Sequence, residues 1–174
     1  MLKRTFAALL LASAAACTPP APPQSTETET PPPQELACNT LTPDLARQVS
    51  VETPPVAAIA SDLRGGELTP GLYDLTSARR VGAATGWNGT RAVALEVSED
   101  TTTGVVTLNW AGTTPTSVVD RWSATLTEAP QARLTYTCGR VGDVDASFAA
   151  ASRALELRIA DGADGELQLA FAQR

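Results

Sequence analysis

Apolar and polar residues alternate with a period of two along most of the second half of this chain. In the segment 91–98, for example, Val93, Leu95 and Val97 fall on one side and Glu96 falls on the other. This period predicts β-strands with one buried face, because successive side chains of a strand point to opposite faces. The same alternation occurs in the segments 106–110, 121–127, 131–138, 155–159 and 166–171.

Short polar segments separate the alternating runs. They are rich in Gly, Asp, Thr and Pro, which are typical of hairpin turns. With the segments Gly71–Arg79 and Ala146–Ala150 added, the pattern predicts seven or eight antiparallel strands joined in sequence order. The predicted turns are Ser98–Gly104, Ala111–Ser117, Gly139–Asp143 and Asp161–Gly165.

The predicted fold class is all-β. A meander with one apolar face must close into a small barrel or fold into a two-layer β-sandwich, because an open sheet would leave that face and two edges in water. We expect the barrel and keep the sandwich as the alternative. Thr42, Pro43 and Asp44 resemble a helix start and predict a short helix over Pro43–Val49, whereas the pattern in 50–66 assigns no element.

The first seventeen residues have the layout of a bacterial export signal. A basic start precedes an apolar stretch of twelve residues, 5–16, which is too short to span a bilayer as a helix. Cys17 follows three alanines, and this arrangement resembles the lipobox of bacterial lipoproteins. The resemblance implies that the Cys17 thiol is acylated and becomes the new amino terminus. Ala14 departs from the branched residue usual at its position, and cleavage after Ala16 to release a soluble protein is the alternative.

The chain has three cysteines. Acylation of Cys17 leaves Cys38 and Cys138, and an even pair suits an exported protein. We expect these two to form a disulfide, which an oxidising compartment permits. In the chain-entropy model, closing so long a loop stabilises the folded state by about 4 to 5 kcal/mol, because the unfolded chain loses conformational freedom. Cys138 falls on the apolar side of its predicted strand, which favours a buried bridge. A metal site is the weaker alternative, because the chain has no histidine.

Composition divides the chain into three parts. Residues 1–16 are the predicted lipoprotein signal peptide, and residues 17–35 are the lipidated cysteine and a tether rich in Pro and Thr. Such a tether has little to bury, so we expect it to be disordered and partly extended. Residues 36–174 are long enough for one folded domain and too short for two.

Charge excludes some classes of partner. Without its first sixteen residues the chain carries eleven arginines, no lysine and nineteen acidic residues, a formal charge of −8. Because nucleic acid needs clustered Lys and Arg, we expect no nucleic-acid partner. We expect the membrane to be reached through the Cys17 lipid anchor. Thr18 differs from the Asp that retains some lipoproteins at the inner membrane, which favours the outer membrane of a bacterial cell envelope.

Three stretches of the chain resemble a known group of proteins. They are Gly65–Ser77 (GGELTPGLYDLTS), Leu134–Cys138 (LTYTC) and Gly165–Phe171 (GELQLAF). Together they are similar to uncharacterised lipocalin-like lipoproteins of Gram-negative bacteria, over residues 65–174. The resemblance implies a barrel or half-barrel, and it implies no established activity, since fold alone does not give function.

Candidate catalytic residues are few. Without histidine the Ser-His-Asp and Cys-His arrangements are impossible, and the single lysine lies in the predicted signal peptide. Two carboxylate pairs, Glu99 with Asp100 and Asp143 with Asp145, could serve a glycosidase, but both fall in predicted turns, where acidic residues are commonly solvated. We therefore expect no enzyme and no cofactor.

Two further patterns give weaker hypotheses. Asp161–Glu166 has oxygen donors at a spacing similar to that of calcium loops, although a plain hairpin turn explains the same residues. Tyr136–Cys138 followed by Phe148 and Leu155 is similar to envelope lipoproteins that inhibit lysozyme. Those proteins present a lysine, which this chain lacks after residue 16. We expect no metal.

Aromatic residues are candidates for a ligand pocket. Trp110 and Trp122 lie on the apolar faces of predicted strands, so we expect them in the core. Trp87 lies beside glycines in a loop, and we expect it near the mouth of the barrel, with Tyr73 and Arg91 as further candidate pocket residues. An inward guanidinium at Arg91 would be costly unless it is paired.

The sequence leaves more than one hypothesis for function. We favour a non-enzymatic envelope lipoprotein with a structural or protein-interaction role, in which side chains fill the barrel. The alternative is a lipid-anchored binding module that holds a small apolar ligand inside the barrel. A barrel of about eight strands is just wide enough for either. An envelope hydrolase or lysozyme inhibitor is the third hypothesis.

Overall fold

The alternating segments form strands of one sheet. The structure is a computed structural model that describes residues 37–53, 63–114, 119–127 and 132–174. The predicted signal peptide and tether lie outside the described residues. The described ranges contain no helix, and thus none that could cross a membrane, so the all-β prediction is confirmed for them. The strands are β1 Val49–Glu52, β2 Gly71–Gly82, β3 Thr90–Arg91, β4 Val93–Glu99, β5 Val106–Thr113, β6 Val119–Thr127, β7 Arg133–Cys138, β8 Asp143–Ala151, β9 Ala154–Ala160 and β10 Gly165–Gln173.

Eight of these strands pair in a closed ring. β2 and β4 to β10 follow one another as antiparallel neighbours in sequence order, and β10 then pairs with β2. The closing pair runs from Gly165 opposite Gly82 to Gln173 opposite Tyr73, with a register shift after Ala170. The predicted meander is confirmed. The pairing of its first and last strands satisfies edges that an open sheet would expose.

Side chains fill the inside of the ring. Trp122, Tyr73 and Phe171 are the largest of those that are fully buried, and aliphatic residues from the other strands surround them. The strands whose faces the alternation assigned, β4 to β7, β9 and β10, contribute the predicted apolar side, with Cys138 on β7 as the exception. The buried core of the ring includes Leu75, Val93, Leu95, Val97, Leu108, Trp110, Ala124, Leu126, Leu134, Phe148, Leu155, Leu157, Ile159, Leu167 and Leu169.

The segment 63–70 covers the end of the ring where β2 begins. Gly65 pairs with the edge of β8, donating to the Phe148 carbonyl at 2.7 Å and accepting from the Ala150 N–H at 3.1 Å. Gly66 has a φ of +127°, and a Cβ there would lie 2.5 Å from the Ala150 carbonyl oxygen, so this approach requires glycine. Leu68 is thereby buried against the core.

A strap of chain, residues 39–47, crosses the outer face of the ring before β1 begins. Arg121 on β6 donates to the Leu41 carbonyl at 3.1 Å, and Arg47 lies 3.3 Å from the Asp74 carboxylate on β2. Between these two strands, one cross-strand row places Ala111 on β5 and Ala94 on β4 in register with Arg121 and Asp74.

The strap buries part of the outer face of the sheet. Ala94 and Ala111 are 1% and 0% exposed, although they point away from the interior of the ring. Small side chains at these positions let the strap lie close to the strands. The alternation predicts strands with one buried face, and beneath the strap this is wrong, because both faces of the sheet are buried there.

Asp74 is the buried charge under the strap. Its carboxylate accepts from Arg174, whose Nη2 lies 2.8 Å from Oδ1, and it also pairs with Arg47. The hydrogen bond from Arg174 to Asp74 raises the pKa of Arg174 against a smaller effect of burial. A carboxylate that is 4% exposed needs such partners, because an unpaired buried charge is costly.

The predicted helix over Pro43–Val49 is wrong. Asp44 instead begins a single turn, in which its carbonyl oxygen accepts the Arg47 N–H at 3.0 Å. Val49 then starts β1, because Val49 and Val51 can pack on the core from a strand. β1 pairs in parallel with β2 and antiparallel with β3, so it fills the place where β2 and β4 separate.

Cys38 and Cys138 form the expected disulfide, with their Cα atoms 5.5 Å apart. Both cysteines are half-buried, so the expected full burial of the bridge is wrong. The reason is a register shift in the β6–β7 pair, which sets Cys138 opposite Ser123 while Tyr136 lies opposite Ala124. Ser123 points outward and hydrogen-bonds Asn109, so the bridge lies on the outer side of the ring, where the strap begins.

Reduction of the Cys38–Cys138 bridge should lower the free energy of unfolding by about 2–5 kcal/mol, because the reduced chain regains the freedom of a long loop. Urea unfolding with and without reductant measures the difference. The double variant Cys38→Ser/Cys138→Ser is the matched control, since reductant should leave its midpoint unchanged. Equal midpoints for the oxidised and reduced chain would show that the bridge is not structural.

Candidate functional site

The loop 83–89 crosses the end of the ring opposite the segment 63–70. This end is formed by the last residues of β2, β5, β7 and β9 and by the first residues of β4, β6, β8 and β10, with β3 directly before β4. The loop packs on the core through Ala84, which is buried, and through Trp87, which is half-buried. We call this end of the molecule the Trp87 end.

The hairpin turn between β9 and β10 holds the loop in place. Asp161 Oδ2 accepts the N–H groups of Thr85 at 2.9 Å and Gly86 at 2.7 Å. A Cβ on Gly86 would lie 2.5 Å from Asp161 Oδ1, so glycine permits this close approach. The predicted turn Asp161–Gly165 is confirmed, and its first carboxylate binds the backbone of the loop.

Stacked aromatic rings form the floor of the Trp87 end. Trp110 and Trp122 are cross-strand partners on β5 and β6 and stack with 5.2 Å between ring centroids and 10° between planes. Trp87 packs on Trp110 at 5.7 Å, and Tyr136 meets Trp122 edge to face at 5.4 Å. Such pairs stabilise the sheet beyond their burial of area. The prediction that Trp110 and Trp122 lie in the core is confirmed.

Two adjoining clefts open at the Trp87 end, and they share Gly86, Trp87, Trp110 and Arg140. The first, which we call the Ile159 cleft, has a volume of about 190 Å³. The second, the Arg91 cleft, has a volume of about 180 Å³. The Ile159 cleft is also lined by Trp122, Tyr136, Ile159, Ala160, Asp161, Leu167 and Leu169, and the Arg91 cleft by Arg91, Gly112, Thr113, Thr114 and Asp120.

Arg140 lies at the boundary between the two clefts. Its guanidinium is 5.8 Å from the ring centroid of Trp122 and 5.7 Å from that of Tyr136, within the range of cation–π interaction. Its Nη2 lies 2.6 Å from Asp120 Oδ2. Burial opposes the charge of Arg140, but the hydrogen bonds and charge interactions with Asp120 and Tyr136 together outweigh it, so the pKa of Arg140 is raised.

Arg91 is an inward arginine, as its position in the alternation predicted. It is 6% exposed, its Nη1 donates to the Thr113 carbonyl at 2.7 Å, and its guanidinium carbon lies 5.4 Å from the centroid of Trp87. Its Nε has no hydrogen-bond partner among the described residues. Burial lowers the pKa of Arg91, and the negative charge of Asp120 opposes this shift.

The three predicted pocket residues do not lie together. Trp87 and Arg91 meet in the Arg91 cleft, whereas Tyr73 lines neither cleft. Tyr73 is 2% exposed, and its hydroxyl donates to the Thr69 carbonyl at 2.6 Å. Burial raises the pKa of Tyr73, and the hydrogen bond to Thr69 opposes this shift. Because Tyr73 is buried and bonded to Thr69, it is a core residue that holds the segment 63–70.

Three of the four carboxylates that sequence suggested for catalysis, Asp100, Asp143 and Asp145, have structural partners. Asp100 accepts the N–H groups of Thr102 and Thr103 inside the β4–β5 turn, and these bonds lower the pKa of Asp100. Asp143 and Asp145 both pair with Arg133 across the β7–β8 hairpin. Within the described ranges, no group of three His, Cys, Asp or Glu residues is placed to hold a metal ion.

Sequence reasoning missed Arg140, Asp120 and Asp161 as residues of this end. Arg140 follows Cys138 in a predicted turn, and turns gave no reason to prefer one arginine over another. Asp120 precedes the alternating part of β6. The pairing of Trp110 with Trp122 across β5 and β6 is the signal that could have found them. It shows that the end of β5 and the start of β6, which holds Asp120, lie together at this end of the ring.

Comparisons with protein-family models, with curated proteins and with solved structures each found no match. Aromatic faces and guanidinium groups in two small clefts suit binding.

Replacing Asp161 with alanine should free the loop 83–89 and lower the free energy of unfolding by about 1–3 kcal/mol, because two backbone N–H groups lose a charged acceptor. Asp164→Ala in the same hairpin is the matched control, since the Asp164 side chain is exposed. Urea unfolding measures the loss, and the indole N–H signal of Trp87 reports the loop. Equal stability and equal Trp87 signals in both variants would contradict this role of Asp161.

Proposed function

We propose that this protein is a non-enzymatic, lipid-anchored lipoprotein of the bacterial cell envelope that acts by interaction rather than by carrying a ligand inside its fold. Its ring of eight strands corresponds in this proposal to a small lipocalin-like barrel. The observation that carries the proposal is the interior of the ring, which side chains such as Trp122, Phe171 and Leu169 occupy.

The volumes at the Trp87 end support an interaction role over a carrier role. Pockets that enclose drug-sized ligands usually measure roughly 300–1,000 Å³. The two clefts measure about 190 and 180 Å³, and both open at the end of the ring. A lipid-sized ligand would have to displace the stacked Trp110 and Trp122 to enter the core, at the cost of their packing.

The proposed location in the cell envelope is supported by the residues before the folded domain. Cys17 after Ala14, Ala15 and Ala16 supports acylation, and the segment 18–35 supports a tether between the anchor and the domain. The Cys38–Cys138 bridge supports the same location, because disulfides persist in oxidising compartments outside the cytosol. The outer membrane is the proposed location, with an envelope protein or a small ligand as the partner.

Native mass spectrometry of the protein purified from its own host tests the filled interior. We expect the mass of the polypeptide with its amino-terminal lipid alone, because the core leaves no room for a second lipid-sized molecule. As a control, Trp122→Ala should create space and is the variant in which an additional apolar mass is expected. A stoichiometric lipid-sized mass bound to the unaltered protein would overturn the proposal in favour of the carrier.

Labelling with a fatty-acid analogue tests the anchor. The unaltered chain should take up label, and Cys17→Ser should take up none, because its oxygen nucleophile replaces the thiol that is acylated. Cys38→Ser is the matched control and should be labelled normally, since Cys38 is bonded to Cys138. Label retained in Cys17→Ser would place the lipid elsewhere, and an unlabelled wild-type chain would favour the soluble alternative.

A further inference from the structure

We propose that the Trp87 end binds a small carboxylate that carries an apolar ring, with the carboxylate in the Arg91 cleft and the ring in the Ile159 cleft. The inference rests on the proposed function in one respect, because a filled interior leaves the end of the ring as the place for a ligand. It adds a ligand class and a binding site to a protein otherwise proposed to act by interaction.

The buried guanidinium of Arg91 is the first argument. A guanidinium has five N–H donors, and Arg91 uses one on the Thr113 carbonyl while its Nε is without a partner among the described residues. Arg91 also forms no ion pair within those residues, although it is 6% exposed. Burying a charge without a counter-ion is unfavourable, so an anion that reaches this cleft gains a preformed cation.

The balance of charge around the clefts is the second argument. The Arg91 cleft is lined by two cations, Arg91 and Arg140, and by one anion, Asp120, which is held by Arg140 at 2.6 Å. The Ile159 cleft is lined by one cation, Arg140, and by one anion, Asp161, and so has no excess charge. The positive excess therefore lies in the Arg91 cleft, on a chain whose formal charge is negative overall. This cleft is where a carboxylate should bind.

The apolar wall of the Ile159 cleft is the third argument. Trp122, Leu167 and Leu169 line it beside Trp87, which separates it from the Arg91 cleft. Ring faces of this kind bind other rings by stacking or edge contacts. Two clefts of about 190 and 180 Å³ that share Trp87, Trp110 and Arg140 suit a molecule with one ring and one anionic group.

Titration with benzoate tests the proposal, and benzamide, which has the same ring and nearly the same shape but no charge, is the matched control. The mature chain from residue 17, carrying Cys17→Ala to keep it in solution, has three tryptophans, and all three line the clefts. Their indole N–H signals in NMR therefore report on the site. We expect saturable shifts with benzoate at a Kd on the order of 1 mM, and binding of benzamide at least about tenfold weaker.

Variants assign the carboxylate to Arg91. Arg91→Gln should weaken benzoate binding by about tenfold and leave benzamide unchanged, and the exposed Arg133→Gln is the control that should change neither. Asp120→Asn, at a half-buried position, should tighten benzoate binding about threefold, because it removes the competing anion from Arg140. This variant decides the question if Arg91→Gln fails to fold.

Four results would each overturn the site. The first two are equal binding of benzoate and benzamide, and indole signals that do not move with benzoate. The other two are unchanged benzoate binding in folded Arg91→Gln, and benzoate binding that is not tightened in Asp120→Asn. Each would leave the lipid anchor and the filled interior intact, since those depend on fatty-acid labelling and native mass spectrometry. A lipid-sized mass bound to the unaltered protein would instead overturn the proposed function. The benzoate titration would still decide, independently, whether the Trp87 end binds a carboxylate.

Discussion

The pairing of β2 with β10 is the constraint on which the rest of the structure depends. These strands are the first and last of the meander, and their hydrogen bonds convert an open sheet with two edges into a ring. Only in the ring can the apolar faces of all eight strands bury one another, because each face then meets the strand across the interior. The pairing of Gly82 with Gly165 at one end of this seam also places the loop 83–89 against the turn that holds Asp161.

The sequence allowed the ring strands and their inward faces to be predicted because alternation has a direct physical cause. A strand with one buried face needs an apolar residue at every second position, and segments such as Leu155–Ile159 and Leu167–Phe171 meet that need without exception. Some turns could be predicted for a similar reason, although the turn expected from Ala111 is wrong over Ala111–Thr113, where β5 continues. Asp100 and Gly104 shape the β4–β5 connection through local bonds and a positive φ, and both depend on residues within the turn itself.

Other features depend on distant partners, and there the sequence misled. The helix expected over Pro43–Val49 has a good start signal, but the valines that follow gain more by packing between β2 and β3. Cys138 was expected to point inward, and a shift of register against β6 turns it outward. The burial of Ala94 and Ala111 depends on a strap whose attachment points, Arg121 and Asp74, lie in separate strands.

The candidate site was predictable in part for the same reason. Trp87 and Arg91 lie close together in the chain, so their meeting required little knowledge of the fold. Arg140 follows β7 and Asp161 follows β9 in the chain. Both lie at the Trp87 end only because of the order of the strands around the ring. Tyr73 could not be separated from the pocket by its residue type, because a tyrosine in the core and a tyrosine in a cleft show the same alternation.

The position of the disulfide determines how the domain would respond to mechanical load. Any pull exerted through the residues that precede Cys38 reaches the bridge before it reaches the strap, because Cys38 is bonded directly to Cys138 at the end of β7. Tension would therefore pass into the ring along a covalent path. The hydrogen bonds of Asn39 and Leu41 and the short strand β1 all follow Cys38 in the chain. A force applied before Cys38 would therefore be carried by the disulfide and would not peel these weaker contacts from the ring.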